Sequence, residues 1–259
     1  RSVGVTGVQT CALPICTGRR RRGPFAEVIF RLSRSPLAMF GLAVILLLIF
    51  CAIFADVLAP YDFAKQDLMH MFETPSAEHW LGTDEFGRDI LSRLIFGARV
   101  SLQVGFIAVG IALVVGGMLG ATAGYYGGWI DNGIMRVMDV LLSVPQTLLA
   151  IAIVAALGPS LMNLMIAVGV SEVPTYARIV RGSVLSIRGM EFVEAARSVG
   201  SSDLRIIMKH IIPNSMAPII VQSTLGVASA ILNAAGLSFI GLGIQPPNPE
   251  WGAMLSGGR

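Results

Sequence analysis

Glu194-Ala195-Ala196-Arg197-Ser198-Val199-Gly200 is followed by Pro213 and then by 28 residues, 215–242, that carry no charge. The first stretch has helical apolar spacing and a glycine stop, and the second is long enough to cross a bilayer. Six basic residues fall between Arg178 and Lys209, so the charged stretch reads as a structured loop between membrane spans. Connections of this kind are usually short and tolerant of change. One with this much pattern is expected to meet a partner.

The surrounding sequence is as apolar as that reading requires. Of 259 residues 54% are hydrophobic and 14% charged, and the mean hydropathy is +0.72, more than a soluble domain can bury. A hydrocarbon core about 30 Å thick takes about 20 residues rising 1.5 Å each. Residues 37–59 are the first such run, with Asp56 its only charge, and residues 100–130 are the second, closing in a Gly/Tyr-rich turn at 124–128. The 32 uncharged residues 140–171 are divided by Gly158-Pro159-Ser160 into a hairpin of spans three and four. Residues 215–242 are the fifth, after which Gln245-Pro246-Pro247-Asn248-Pro249 turns polar. The fold class expected is an all-α polytopic membrane bundle with five spans.

Basic residues accumulate on cytoplasmic loops. With the N-terminus inside, the inner segments hold thirteen (Arg19 to Arg22, Arg31, Arg34, Arg136 and the six of the central loop) and the outer ones four: Lys65, Arg88, Arg93 and Arg99. The central loop is therefore placed in the cytoplasm. The 60–99 segment lies outside, where eight acids from Asp56 to Asp89 outnumber its bases. A pI near 9.0 then reflects topology and implies no nucleic-acid partner.

Residues 1–16 stand apart. Val5-Thr6-Gly7-Val8-Gln9-Thr10-Cys11-Ala12-Leu13-Pro14-Ile15 looks like the in-frame translation of a sequencing adapter, and the segment is set aside as an artefact. Residues 17–36 are then a basic cytoplasmic segment and 100–259 the core domain. Of the three cysteines only Cys51 remains, inside the first span, which supports no disulfide or metal site.

Several chemistries are excluded. A P-loop needs Gly-Lys-Ser/Thr, but Lys65 follows Ala64 and Lys209 follows Met208. His70, His79 and His210 form no HExxH motif. The chain is expected to be no enzyme, with no catalytic residue, no metal ligand and no bound cofactor. Gly116, Gly120, Gly124 and Gly128 recur every four residues, which fits close helix packing.

In the loop, Val184, Ile187, Phe192, Ala195, Ala196 and Val199 fall at helical spacing, giving a short amphipathic helix with a small-residue face near Glu194. Gly200 ends it, Ser201 or Ser202 caps the next helix, Asp203 lies in that helix's first turn, and Pro213 bends into the fifth span. Either a docking knob or a helix lying in the headgroups with Arg197 and Arg205 on lipid phosphates fits these residues.

These residues resemble the EAA loop of bacterial ABC-importer permeases: Glu194, Ala195, Ala196, Gly200 and Pro213 match in register. His210 and Ile212 replace Ile and Leu, a departure shared by the peptide-transporting branch. Leu81-Gly82-Thr83-Asp84-Glu85-Phe86-Gly87-Arg88-Asp89 and Gln245-Pro246-Pro247 through Glu250-Trp251-Gly252 are similar to the second permease subunit of dipeptide, oligopeptide and nickel importers. The resemblance covers about residues 24–259. It implies the type I permease fold with six spans, so a chain with five is expected to be truncated. It also implies a bacterial inner-membrane location, a related second permease (a heterodimer), two cytoplasmic ATPases that bind ATP and Mg, and an extracytoplasmic solute-binding protein. Residues 184–213 would dock on the ATPase, Glu194 making a polar contact there. Gly200→Pro or a bulky residue at Ala196 would then uncouple transport.

The translocation path is read from the fifth span, where Gln222, Ser229 and Asn233 share a face with Gly226 and either line a cavity or bond to a neighbouring helix. Arg136 and Asp139 are expected to pair structurally, and Glu172 beside Pro174 is a gating candidate or a boundary residue. The alternatives are a permease for nickel or another small solute and, from another class, an ATP-independent channel or carrier. The latter lacks the paired intramembrane charges it would need.

Overall fold

The computed structural model describes residues 33–244 and 247–257. The adapter-like residues 1–16, Arg19 to Arg22, Arg31, Gln245 and Pro246 lie outside that range. Two compact units are distinguished, Arg1–Leu47 and Leu48–Arg259. The described part of the first is the beginning of helix α1 (Pro36–Ile53), an 18-residue helix with no charge and no buried side chain. All remaining elements belong to the second unit, whose described regular structure is helical apart from one β-bridge between Thr83 and Asp89.

A one-turn helix, α2 (Ala55–Leu58), precedes an irregular segment of residues 59–89. Helix α3 (Ile90–Tyr126) is 37 residues long, about 55 Å at the α-helical rise. It starts ten residues before the uncharged run because Asp89 caps it: Oδ2 accepts from Ser92 N at 2.8 Å and from Ser92 Oγ at 2.7 Å. Gly127, at φ +69°, ends it where the Gly/Tyr-rich turn was expected.

The expected hairpin is present with its first arm altered. Helix α4 (Gly128–Ser143) and helix α5 (Gln146–Leu157) meet at 89°, because Pro145 stops α4 before the apolar run is finished. The 12 residues of α5 are too few to span alone. The turn after it is clasped by Asn163, whose Nδ2 donates to the carbonyls of Leu157 and Gly158 at 2.9 Å each.

Helix α6 (Leu161–Ile187) departs from the boundary at Ser171: it continues for 27 residues through Glu172 and Pro174. Proline removes one intrahelical bond, but burial of Val173, Ala177, Val180 and Val184 on one side holds the helix together. Glu172 is consequently buried at mid-helix. Among the described residues three helices are long and apolar enough to cross a membrane, α1, α3 and α10 (Met216–Phe239), or four if the bent pair is one span. Helix α6 is long enough, but its second half carries Glu172, Arg178 and Arg181.

The glycine spacing on α3 marks its contact with α6. A Cβ at Gly116 would lie 2.6 Å from the carbonyl oxygen of Val173, one at Gly120 would overlap the Ala177 carbonyl, and one at Gly124 would lie 2.9 Å from Val184 Cβ. Backbone approaches backbone here, as expected where apolar lipid offers no hydrophobic drive and close packing must hold the helices. Gly128 is not part of the stripe; at φ +54° it opens α4, with no atom close to its side-chain direction. A Cβ at Gly226 of α10 would run into the Tyr176 hydroxyl, and one at Gly169 of α6 would lie 2.9 Å from the Ala108 carbonyl oxygen; α3, α6 and α10 close around Val104, Ala108, Leu164 and Ala230.

The two outlying motifs meet at the first turns of α3. Helix α11 (Trp251–Gly257) follows the polar segment after α10; Trp251 Nε1 donates to Leu94 O at 3.2 Å. Its indole fills the space left by Gly97, where a Cβ would lie 2.8 Å away.

Candidate functional site

At the other end of α3 the chain between α6 and α10 folds into a small knob. Gly189 and an extended Met190 interrupt the chain, so Val184 and Ile187 belong to α6 and only the later part of the expected amphipathic helix forms α7 (Glu191–Ser198). Gly200 N bonds to Arg197 O at 2.9 Å and Ser201 N to Ala196 O at 3.1 Å, the Schellman pattern, with Gly200 at φ +81°. Helix α8 (Asp203–Ile206) passes through a π-turn (Ile207–Ile211) into α9 (Ile212–Asn214), which contains Pro213. The wide turn ends two residues before Pro213, which has no N–H to give. Ser215 Oγ then bonds to the carbonyls of Ile211 at 3.1 Å and Ile212 at 3.0 Å, turning the chain into α10. Ser202 occupies the cap position of α8, but its side chain makes no cap bond.

The knob has its own core. Val193, Ile206, Ile211, Val180 and Val184 pack with Ala121 and Tyr125 of α3, and Ala196 joins them from the edge. Helical spacing leaves Phe192, Ala195 and Val199 on the outward face, Phe192 39% and Val199 86% exposed, and Leu204 and Met208 point outward from the next turns. Of the two alanines, then, Ala195 faces out and Ala196 faces in. Glu194 is exposed. Arg197 does not pair with it: Arg197 Nη2 donates to Tyr125 Oη at 3.4 Å, and the guanidinium lies 5.7 Å from that ring's centroid. The Tyr125 hydroxyl donates in turn to Asp203 Oδ1 at 2.7 Å. This bond to Tyr125, ahead of any charge effect, holds the Arg197 guanidinium above its ordinary pKa.

Two further ties fix the knob's base. Arg188 Nη1 donates to Gly124 O at 2.9 Å, and Arg181 grips Asp131 of α4 with two bonds of 2.5 and 2.6 Å. The result is a short helix with an apolar outer face, locked by its inner face to α3 and α6.

Two family descriptions match the chain. "Binding-protein-dependent transport system inner membrane component" covers residues 114–258, and "N-terminal TM domain of oligopeptide transport permease C" covers residues 23–75. The chain belongs to the C-type permeases of the peptide ABC-transporter family. Among its relatives, the dipeptide transport system permease protein DppC of Alkalihalophilus pseudofirmus is 53% identical over 236 residues, 91% of this chain and 78% of that one. The glutathione transport system permease protein GsiD of Pectobacterium atrosepticum is 43% identical over 95% of this chain and 82% of its own. The inward-facing MetNI methionine ABC transporter shares the fold at 19% identity and a TM-score of 0.52, over 64% of this chain and 86% of that one. The architecture is thus the type I permease fold.

The three residues expected from the sequence either to line a path or to bond to a neighbouring helix lie on α10. Gln222, Ser229 and Asn233 are half-buried; Asn233 Nδ2 reaches Ser229 Oγ at 3.5 Å, and the Gln222 carbonyl accepts from the Tyr176 hydroxyl at 3.3 Å. Asp139 pairs at 2.9 Å with Arg178 of α6, both more than half exposed, and not with Arg136. Two contributions escaped the sequence reading. Tyr125 gave no signal beyond its Tyr-Tyr-Gly-Gly context, and the Arg181 tie to Asp131 links positions 50 apart. A helical-face comparison of α4 with α6 would have suggested only the second.

Proposed function

We propose that the chain is the permease subunit of an ATP-driven importer of dipeptides, oligopeptides or similar solutes, working in the bacterial inner membrane with its N-terminus in the cytoplasm. The knob at 184–213 docks on an ATPase, which binds ATP and Mg. A related permease completes the path, and an extracytoplasmic binding protein delivers the solute. The observation that carries this reading is the outward face of Phe192, Ala195 and Val199 on a helix whose inner face is pinned to α3 and α6. A push on that face moves spans and not merely a loop. The excess of basic residues on the segments sharing the knob's side supports a cytoplasmic placement, and the names of the DppC and GsiD relatives support a peptide-like cargo.

The test is proximity. Val199→Cys, expressed with the ATPase and binding-protein genes that neighbour it, is expected to cross-link to the ATPase in membranes and to react with thiol reagents only from the cytoplasmic face. Labelling from outside, or no cross-link in a complex that still imports a labelled dipeptide, would defeat the proposal.

A further inference from the structure

At the end of α3 remote from the knob, residues 68–72 form a turn whose apolar side chains are left open. Met69 is 89% and Phe72 68% exposed, and Leu68 and Met71 are exposed beside them. The turn is nonetheless firmly held. Phe72 N bonds to Asp84 O and Asp67 N to Phe86 O, each at 3.2 Å. Thr83 Oγ1 accepts from Glu73 N at 2.9 Å and donates to His70 O at 2.5 Å. A Cβ at Gly82 would overlap the Glu73 carbonyl, and one at Gly87 that of Asp67. The glycines of the 81–89 motif are therefore what let that segment close on the turn.

The clamp fixes a disfavoured conformation. Among the described residues Phe72 is the one non-glycine at positive φ, +53°, which is costly for a bulky side chain. A strained ring left open to solvent returns nothing to the fold, and its role points outward. The charge around the turn narrows what it meets. One flank is a hollow of about 210 Å³ whose lining includes Lys65, Asp67, His70 and Glu78; on the other, Phe72 and Glu85 border the same cavity. Along residues 60–89 Asp62, Asp67, Glu78 and Glu85 are exposed, whereas Arg88 is buried and Lys65 and His70 are the exposed bases. The surround is acidic even with His70 protonated. Anionic lipid headgroups repel such a rim. A protein surface with an apolar hollow and a basic rim complements it.

We propose that residues 68–72 anchor the solute-binding protein, with Met69 and Phe72 entering an apolar hollow of that protein edged by lysine and arginine. The proposal rests on the functional reading above, which puts this end of α3 outside the cytoplasm and gives the chain a binding protein there. Because the turn is fixed before contact, docking loses little ordering entropy.

The affinity of the neighbouring solute-binding protein for the assembled transporter in nanodiscs is measured by biolayer interferometry. Phe72→Gly removes the ring and the strain together and keeps the clamp: affinity should fall about tenfold or more, as for a central anchor, with an equal or higher Tm. Met69→Ser should weaken binding in the same direction. Glu78→Gln should slow association and flatten its salt dependence, while Lys65→Gln should not weaken binding. Wild-type affinity in both Phe72→Gly and Met69→Ser overturns this proposal alone. Quenching of a fluorophore on Met69→Cys by brominated lipid, with that affinity unchanged, overturns it in favour of a headgroup anchor. If the unaltered transporter does not bind the protein at all, the functional reading falls with it.

Discussion

Gly117 and Gly120 lie three residues apart on α3 and carry opposite expectations. A Cβ at Gly120 would overlap the Ala177 backbone, whereas one at Gly117 meets nothing within 4 Å. Gly120→Ala should therefore force α3 from α6 and cost about 1–3 kcal/mol, the usual range for overpacking. Gly117→Ala should be neutral or stabilise by up to about 1 kcal/mol through helix propensity. Thermal unfolding in detergent distinguishes them: a lower Tm for the first, an equal or higher one for the second. His70 is a second residue-scale case. Hydrogen bonding to Asp67 at 3.0 Å, assisted by that carboxylate's charge, raises the His70 pKa above 6.5 and lowers that of Asp67 below 3.8. The histidine's contribution is complete below its unfolded value and lost as pH rises through its folded one. That of Asp67 is present above its unfolded value and lost as pH falls through its folded one, so the pair is strongest between the two. Both groups are solvated, and the effect belongs in a titration: by NMR His70 should titrate above 6.5, and Asp67→Asn should return it toward 6.5.

The proposed docking function rests on the knob, and Tyr125 pins it to α3. Tyr125→Phe removes the bond to Asp203 and the partner of Arg197 without leaving a cavity, a loss of about 1.5–3 kcal/mol for a bond to a charged group. Hydrogen exchange across residues 191–206 should accelerate while that of α3 stays unchanged; equal protection in wild type and variant would show that the pin carries nothing. Much of this element was legible. Glu194, Gly200 and Pro213 are local signals, since a glycine stop and a proline bend act on the backbone next to them. The division of labour between Ala195 and Ala196 was not, because it depends on which face meets α3. The same holds for Tyr125 and Asp203, 78 residues apart. The boundary at Ser171 misplaced the end of α6 for a related reason: Glu172 and Pro174 look like the edge of a span, yet packing against the glycines of α3 extends the helix 16 residues further, to Ile187.

Across the whole molecule, apolar run length reveals the helices but not their angles. The 89° bend at Pro145 and the shortness of α5 follow from a single proline inside a run that by composition is continuous. Helix α3, about 55 Å long, exceeds the hydrocarbon core and carries the 81–89 motif at one end and the knob at the other. Under the docking proposal, force applied at Ala195 would reach α3 through Val193, Ile206 and Tyr125, which pack in one cluster. The most direct test of that coupling is Ala195→Trp in the assembled transporter reconstituted in liposomes, because the substitution enlarges the outer face and leaves the knob's core untouched. ATP-driven dipeptide uptake should fall at least tenfold and stimulation of ATPase activity by the binding protein should disappear, with insertion and Tm preserved. Wild-type uptake together with wild-type stimulation would contradict the account.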